Sequence, residues 1–496
     1  MTAGDQSQVL SLLADPATFG YPAGGVRRID THISSVFLAG DRAYKLKRAV
    51  QFPYLDFSSP ERRRQACEAE LAVNRRTAPD LYLAVRPIVR VGEALKLGES
   101  GEQGVDWVVE MRRFPDEGLW DARAASGTIS AGDVRALADL IASFHDAAEI
   151  AQGHGTVDDL LWTVEGNRAD LGRLFPASAV EALDRDTRAE ISRLAGHIAG
   201  RVAGGSVRRC HGDLHLRNIA TVAGKPLPFD AIEFDDRISC IDTLFDLAFL
   251  IVDFMRIGRR DFACLTLSRY LGRRPDEPGL ALLPLFLSLR AAIKAKTRAA
   301  AGARDEANAC FAMADDFLHP SAARLIAVGG LSGTGKTALC ASLAENLGAA
   351  PGALVLRSDV ERKRLAGVPP EMPLARSHYT PDASRAVYAS LHARASSALA
   401  AGHSVVVDAV YANPAERAAV AAAANGVRFD GLWLECPEEI RLARVAGRSD
   451  DASDADRDIV REQSARGCTV GEWQNIDASR MPSDTLDAAR AWLRCG

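Results

Sequence analysis

The stretch Arg324–Thr337, RLIAVGGLSGTGKT, limits what this chain can fold into more than any other. Leu325–Val328 is an apolar run of strand length, and Gly330–Thr337 satisfies G-x-x-x-x-G-K-[ST] at every fixed position. Leu339, Leu343 and Leu347 then recur every four residues up to Gly348, which predicts a helix face with a glycine stop. Strand, glycine-rich loop and helix form a phosphate cradle. Glycines let backbone N–H groups close round phosphate oxygens, the helix N-terminus adds partial positive charge, and a lysine reaches the outer phosphates. Gly330, Ser332, Gly333, Thr334, Gly335, Lys336 and Thr337 are the expected nucleotide-binding positions, with the Thr337 hydroxyl on Mg²⁺.

Such a strand usually opens its domain, so the first 320 or so residues need their own explanation, and a length of 496 residues favours two to four domains. A hydrophobic content of 47% supplies ample core, while a net charge of −5 gives no general attraction to nucleic acid or anionic membrane. The nine cysteines are scattered without a C-x-x-C pair, as expected of reduced thiols in a cytoplasmic protein. No basic region followed by an apolar core opens the chain, so no secretory signal is expected. The most apolar run, Leu247–Val252, is too short to span a bilayer, and no membrane association is expected.

Residues 32–57 read as a hairpin, with strands at Val36–Leu38 and Ala43–Leu46 and a turn at Ala39–Arg42. Lys45 and Lys47 share one face of its second strand, because side chains alternate. Ser59-Pro60-Glu61 suits a helix start, and the helix it predicts, to about Arg76, carries Glu68 and Glu70. Leu81–Val91 and Val105–Met111 follow as strands, with Gly98–Gly104 as the turn between them. From Ser130 the pattern is helical, and Val134, Leu137, Leu140, Ile141 and Phe144 make one apolar stripe with His145 beside it.

A second chemical centre runs from Cys210 to Asp236, CHGDLHLRNIATVAGKPLPFDAIEFDD. Asp213 and Asn218 precede a turn at Ala223–Pro226, and Asp230 and Glu233 follow it. Oxygen-bearing side chains clustered on both sides of a hairpin suit a hard cation such as Mg²⁺. Helices continue to about Phe317, and Phe317–Ser321 reads as a linker. Beyond the glycine-rich loop, Ala353–Leu356, Val405–Val407 and Leu432–Leu434 resemble buried strands alternating with helices at Pro381–Ala401 and Pro414–Ala424. That rhythm predicts a doubly wound parallel sheet, with ligands at the strand ends that carry Arg357, Asp359, Asp408 and Glu435.

The first 318 residues resemble the aminoglycoside phosphotransferase-like kinases, a branch of the protein-kinase-like fold, through H-G-D-L-H-L-R-N at His211–Asn218, F-D-A-I-E-F at Phe229–Phe234 and D-x-x-x-D-L-A at Asp242–Ala248. The helix Ala138–His145 also looks like one of that family's helices. This resemblance implies a small lobe to about residue 115 and a helical lobe over about 116–318. It implies that Asp213 orients the acceptor hydroxyl or takes its proton, and that Asn218 holds Mg²⁺. Lys47, or Lys45 beside it, would meet the nucleotide phosphates, with Glu70 or Glu68 as helix partner, and Glu110 and Met111 would lie at the hinge. Asp230 and Glu233 compete for the second metal position, and no G-x-G-x-x-G loop covers the phosphates.

Residues 322–496 resemble small P-loop kinases, the group that holds polynucleotide, gluconate and zeta-toxin-like kinases. L-R-S-D-V at Leu356–Val360 matches the aspartate facing the acceptor hydroxyl, which implies that role for Asp359. V-V-V-D-A at Val405–Ala409 matches their third strand, with Asp408 on the metal side, and Arg417 follows as in such kinases. Arg441, Arg444 and Arg448, before the acidic run Ser449–Asp456, look like an arginine-bearing lid, with Arg444 on the nucleotide and Arg448 on the transferred group. The chain as a whole resembles bacterial fusions of these two kinase types. The expected function is a bifunctional ATP- and Mg²⁺-dependent phosphotransferase acting on hydroxyls of small molecules of the sugar, aminoglycoside or nucleoside class. The alternatives are a 5′-hydroxyl polynucleotide kinase in the P-loop half, or one half that binds ATP only to regulate. A nucleic-acid partner is disfavoured by the acidic charge without being ruled out, and nothing in the sequence encodes the oligomeric state.

Overall fold

The computed structural model describes residues 6–21, 25–52, 55–447, 452–466 and 471–495. Contacts gather the chain into two compact units, Met1–Asp159 with Ala199–Leu250, and Leu160–Ile198 with Ile251–Gly496.

The first unit is built on a six-stranded antiparallel sheet in the order Val26–Asp30, Ser34–Ala39, Arg42–Lys47, Asp106–Arg112, Tyr82–Val91, Ala94–Leu97. The expected hairpin is present and pairs Ser34 with Lys47 at one end and Ala39 with Arg42 at the other. Two strands were not expected. Val26–Asp30 is mostly exposed and carries Arg27, Arg28 and Asp30, so it has no apolar alternation to betray it. Ala94–Leu97 is only four residues long and lies just before the turn expected at Gly98–Gly104.

The helix Pro60–Asn74 packs on this sheet. Ser59 caps it by accepting from the Arg62 N–H, and Pro60 sits in the first turn where no donor is lost. Its buried residues are Arg63, Cys67, Glu70 and Asn74, one helical stripe that is polar rather than apolar. Such a stripe survives burial only with partners. Arg63 forks onto Asp106, with Nε at 2.8 Å and Nη2 at 2.9 Å from the two carboxylate oxygens. The helix Ala131–Ala147 starts in a Ser130/Asp133 capping box and buries Val134, Leu137, Ile141, Phe144 and His145. Two short ribbons complete the frame of the site. Val207–Arg209 pairs with Cys240–Asp242, and Ile219–Val222 pairs with Lys225–Pro228.

The second unit contains a five-stranded parallel sheet in the order Leu354–Arg357, Val405–Asp408, Arg324–Gly330, Arg428–Glu435, Gln474–Asp477. Its central strand is the one before the glycine-rich loop, and Leu325–Val328 is wholly buried. Helices cover both faces, which is why the strands read as unbroken apolar runs. The helix after the loop spans Lys336–Ala344 and ends before the expected stop. Leu347 still packs on the core, from the turn beyond the helix. The edge strand Gln474–Asp477 escaped the sequence reading because only Ile476 in it is buried.

The helix Arg260–Arg273 belongs to the same unit and seats directly on the sheet. The Val355 N–H donates to Ser268 Oγ at 3.1 Å, and Arg260 Nε donates to the Pro351 carbonyl at 3.0 Å. One stretch of helix, Glu277–Ala300, is long and apolar enough to cross a membrane by composition, and 78% of its apolar window is buried inside the protein.

Candidate active sites

The first site begins at the loop that follows Val207–Arg209. Asp246, fully buried on the helix Thr243–Arg256, accepts from the His211 N–H at 3.1 Å and the Gly212 N–H at 2.8 Å. His145 Nε2 lies 3.1 Å from the same carboxylate, so the histidine of the apolar helix positions the loop rather than meeting substrate. Gly212 has φ 83°, and a Cβ there would lie 3.0 Å from the Ile238 carbonyl oxygen. A glycine is therefore required for the loop to turn. Burial holds the His211 imidazole below its usual range, and its Nε2 faces the Phe229 carbonyl at 3.0 Å.

The turn brings Asp213 and Asn218 together. Asn218 Nδ2 donates to Asp213 Oδ2 at 2.9 Å and to the Asp213 carbonyl at 3.0 Å. His215 Nε2 stands 3.3 Å from the same carboxylate oxygen. The Asp213 side chain retains 34% exposure, which leaves it able to receive a proton from an incoming hydroxyl.

Five more side chains form an ion network. Glu70 Oε1 accepts from Lys45 Nζ at 2.8 Å, and Glu70 Oε2 pairs with Lys47 Nζ at 2.5 Å. Lys45 also reaches Asp230 at 2.5 Å, and Lys47 bonds Glu233. The two lysines hold the Glu70 carboxyl down at about 2 despite its burial. Burial instead pushes the Glu233 carboxyl up. Asp230 adopts φ 62°, an uncommon conformation for a side-chain-bearing residue, and keeps 44% of its side chain exposed against 4% for Glu233. Its N–H donates to Tyr82 Oη at 3.0 Å, and the next N–H, of Ala231, donates to Asn74 Oδ1 at 2.8 Å. The buried helix stripe thus fixes both the lysines and the loop that carries Asp230. Glu68 faces outward and pairs with Arg64.

Glu110 and Met111 lie at the end of the strand Asp106–Arg112. The Glu110 carboxylate is taken by Arg42 at 3.4 Å and Arg86 at 3.3 Å, and Glu110 and Met111 are both paired with strands on either side, so they sit inside the sheet and not at a hinge after it.

In the second unit the glycine-rich loop has the geometry its sequence demands. Gly333, at φ 88°, leaves 2.7 Å between a built Cβ and the Arg441 carbonyl oxygen, and Gly330 leaves 2.8 Å to the Leu434 carbonyl oxygen. Any side chain would collide with backbone. Lys336 Nζ donates to the Leu331 carbonyl at 3.1 Å, folded back over its own loop. Thr334 Oγ1 donates to the same carbonyl at 2.9 Å. Thr337 Oγ1 donates to Asp408 Oδ2 at 2.6 Å, and Arg357 Nε is 3.4 Å from that oxygen. A hydroxyl and a carboxylate side by side at the end of the phosphate cradle form a hard-oxygen donor set of the kind Mg²⁺ takes. Asp359 opens the neighbouring helix, Ser358–Leu365. Loss of hydration raises its carboxyl, Arg357 and Lys336 pull it back, and Asp408 opposes them.

The expected lid arginines divide. Arg441 is buried and donates to the Cys436 carbonyl and to Ser464 Oγ. Arg444 Nη1 donates to the carbonyls of Ala478 at 2.8 Å and Thr334 at 3.3 Å, beside the phosphate loop. Arg448 lies outside the described residues. Arg417 is buried and donates to the Tyr411 and Ala412 carbonyls, and Tyr411 itself sits at φ 52°. Gln463 was not anticipated. Its Oε1 accepts from the Ser332 N–H at 2.8 Å, occupying a donor of the phosphate cradle. A glutamine 131 residues from its partner leaves no spacing signal.

The family profile described as "AAA domain" matches residues 325–467. An uncharacterized protein of Mycobacterium tuberculosis (strain ATCC 25618 / H37Rv) is 28% identical over 469 residues, covering 91% of this chain and 92% of that protein. An uncharacterized protein of Mycobacterium bovis (strain ATCC BAA-935 / AF2122/97) aligns with the same figures. Among solved structures, a gluconokinase from Sinorhizobium meliloti 1021 is similar over 34% of this chain and 90% of its own, at 22% identity and TM-score 0.26. A choline/ethanolamine kinase family protein from Mesorhizobium loti is similar over 64% of this chain and 95% of its own, at 15% identity and TM-score 0.39. A thermostable mutant of aminoglycoside phosphotransferase APH(4)-Ia is similar over 63% of this chain and 98% of its own, at 15% identity and TM-score 0.39.

Proposed function

We propose that this chain is a phosphotransferase with two separate ATP·Mg²⁺ sites, each passing a phosphoryl group to a hydroxyl of a small molecule. The observation that supports it is the completeness of each set within its own unit. Lys45, Asp230, Asn218 and Asp213 gather in one, and Lys336, Thr337, Asp408 and Asp359 in the other. Phosphoryl transfer asks little of a protein beyond placing cations on the phosphates, hard oxygens on the metal and a carboxylate at the acceptor hydroxyl. Mg²⁺, when bound with the nucleotide, neutralises charge developing on the transferred group.

In the first site Lys45 serves the phosphates, because it faces the exposed Asp230, while Lys47 is buried against Glu233. Asp230 and Asn218 are the metal ligands, and Glu233 is an internal counter-ion. Asp213 orients the acceptor hydroxyl and takes its proton. In the second site Lys336 swings from the Leu331 carbonyl to the outer phosphates, Thr337 and Asp408 hold the metal, and Asp359 faces the acceptor. Arg444 steadies the loop from outside. Acceptors of the sugar, aminoglycoside or nucleoside class fit this chemistry, and the cytoplasm supplies its ATP.

Equilibrium binding of ATP in the presence of Mg²⁺ tests the reading. Two equivalents per chain are expected, with Lys336→Ala removing one and Asp230→Asn removing the other. A single equivalent, lost entirely in Lys336→Ala, would contradict the first site.

A further inference from the structure

The ribbon that leads into the His211–Asn218 loop gathers three side chains of unlike chemistry. Val207–Arg209 pairs with Cys240–Asp242 along one edge, and along the other it meets the chain that leaves the helix Ala131–Ala147. There Ile150 bridges Arg208, the Arg209 N–H donates to the Glu149 carbonyl at 2.9 Å, and the Ala151 N–H donates to the Val207 carbonyl at 3.0 Å. That chain turns back through Gly153 and Gly155, at φ 76° and 68°, and Gly155 seats so close to Val207 that a Cβ would lie 2.5 Å from its Cγ2. His154 is held between the two glycines. Asp236 and Cys240 bracket the short helix Asp236–Ser239, one turn apart and so on one side of it. A His154 ring nitrogen, an Asp236 carboxylate oxygen and Cys240 Sγ all lie within 4.8 Å of one another. Cys240 is buried, His154 half-buried and Asp236 exposed, so the group opens to solvent on its carboxylate side.

We propose that His154, Asp236 and Cys240 bind a zinc ion, with water completing the tetrahedron. Bonds of about 2.0–2.3 Å set tetrahedral ligands about 3.3–3.8 Å apart, so the three atoms need draw together by at most about 1.5 Å. Thiolate and imidazole favour Zn²⁺ over a hard cation such as Mg²⁺, which separates this group from the oxygen-donor sets that face the phosphates. Arg209 Nη1 donates to Asp236 Oδ1 at 2.9 Å and orients the carboxylate, as the outer partner of a metal ligand does. The neighbouring group of His145, Cys210 and Asp246 is already spent, since its carboxylate meets His145 and the N–H groups of His211 and Gly212. Binding releases the Cys240 thiol proton to water and leaves the sulfur on the metal as thiolate. The ion ties the glycine-flanked loop to the short helix and to the strand after it. The Cys210 N–H donates to the Ser239 carbonyl at 2.7 Å where the chain enters the His211–Asn218 loop, so zinc braces the root of that loop.

The test is a zinc titration of the metal-stripped full chain against a chromophoric chelator, with excess Mg²⁺ present to occupy hard-oxygen sites. One tight equivalent is expected. Loss of an outer partner costs about 10–100-fold in metal affinity, so His154→Ala, which removes a ligand, should cost at least as much. Zinc should raise the unfolding temperature of the wild type and leave that of His154→Ala unchanged. Cobalt in place of zinc should give a near-ultraviolet sulfur-to-metal band that Cys240→Ser abolishes. His154 lies on a half-buried loop, so its variant keeps the core intact and decides the matter even where Cys240→Ser fails to fold. No tight equivalent in the wild type would overturn the site. Full affinity in His154→Ala would do the same, as would a cobalt–sulfur band that survives Cys240→Ser, because another thiol would then be the ligand.

Discussion

Thr337 Oγ1 donates to Asp408 Oδ2 at 2.6 Å, joining the last residue of the glycine-rich loop to the end of the neighbouring strand. The pair brings a hydroxyl and a carboxylate to one point. Asp408→Asn keeps the shape and removes the charge. ATP affinity at this site should fall by about 10–100-fold with Mg²⁺ present. It should change little when the metal is chelated, which titration calorimetry with and without EDTA would read.

Lys45 and Lys47 should separate function from stability. Lys45→Met leaves Glu70 paired with Lys47, so the protein should fold while the first site loses turnover. Lys47→Met leaves Glu233 buried beside Glu70 without its cation. Breaking a buried pair in this way costs about 3–5 kcal/mol. Denaturant unfolding should place Lys47→Met well below Lys45→Met.

Acid should weaken the same network. Glu70 is held at about 2, below the 4.5 of an ordinary glutamate, by Lys45 and Lys47. A depressed carboxyl stabilises the fold above its unfolded pKa and loses that contribution as pH falls toward the folded one. Stability should therefore decline between about pH 5 and 2, and Glu70→Gln should flatten that limb while lowering stability at neutral pH.

For the P-loop site the sign is opposite. Burial raises Asp359, and a base must be ionised to accept a proton. Rate should climb with pH through a value above the ordinary aspartate range, as Arg357 and Lys336 limit the rise and Asp408 adds to it. Asp359→Asn should remove that limb and cut turnover by about 10²–10⁴-fold, measured as kcat/KM across pH.

The fixation of the His211–Asn218 loop by Asp246 also admits a direct test. Asp246→Ala orphans the N–H groups of His211 and Gly212. Each buried donor left unpaired costs about 1–3 kcal/mol. Exchange of those two amides should accelerate in the variant, with a matching loss in thermal unfolding temperature.

What the sequence revealed of all this follows the range over which each constraint acts. The glycine-rich loop was legible because its chemistry confines contiguous residues, and Gly330 and Gly333 have no space for a Cβ. Asp213 with Asn218 was legible for the same reason, five positions apart within one turn. The different partners of Lys45 and Lys47 were not, since both point from one strand face and a segment over 180 residues away brings Asp230 to one and Glu233 to the other. Glu70 over Glu68 was decidable in principle, because Arg63, Cys67, Glu70 and Asn74 form one stripe that excludes Glu68. That stripe is polar, so an apolar periodicity could not find it. Asp230 separates from Glu233 by a left-handed backbone that residue type alone does not announce. Gln463 reaches its partner across 131 residues, where only the folded chain supplies the distance. The exposed edge strands Val26–Asp30 and Gln474–Asp477 were missed because pairing, and not burial, defines them.

The most direct test of two sites is a screen for phosphorylated products. Wild type, Asp213→Ala, Lys336→Ala and the double variant would each be given ATP, Mg²⁺ and a metabolite extract, with products read by mass spectrometry. Each single variant should lose a different subset of products, and only the double variant should lose all of them. An Asp213→Ala protein that makes every product the wild type makes would contradict the account.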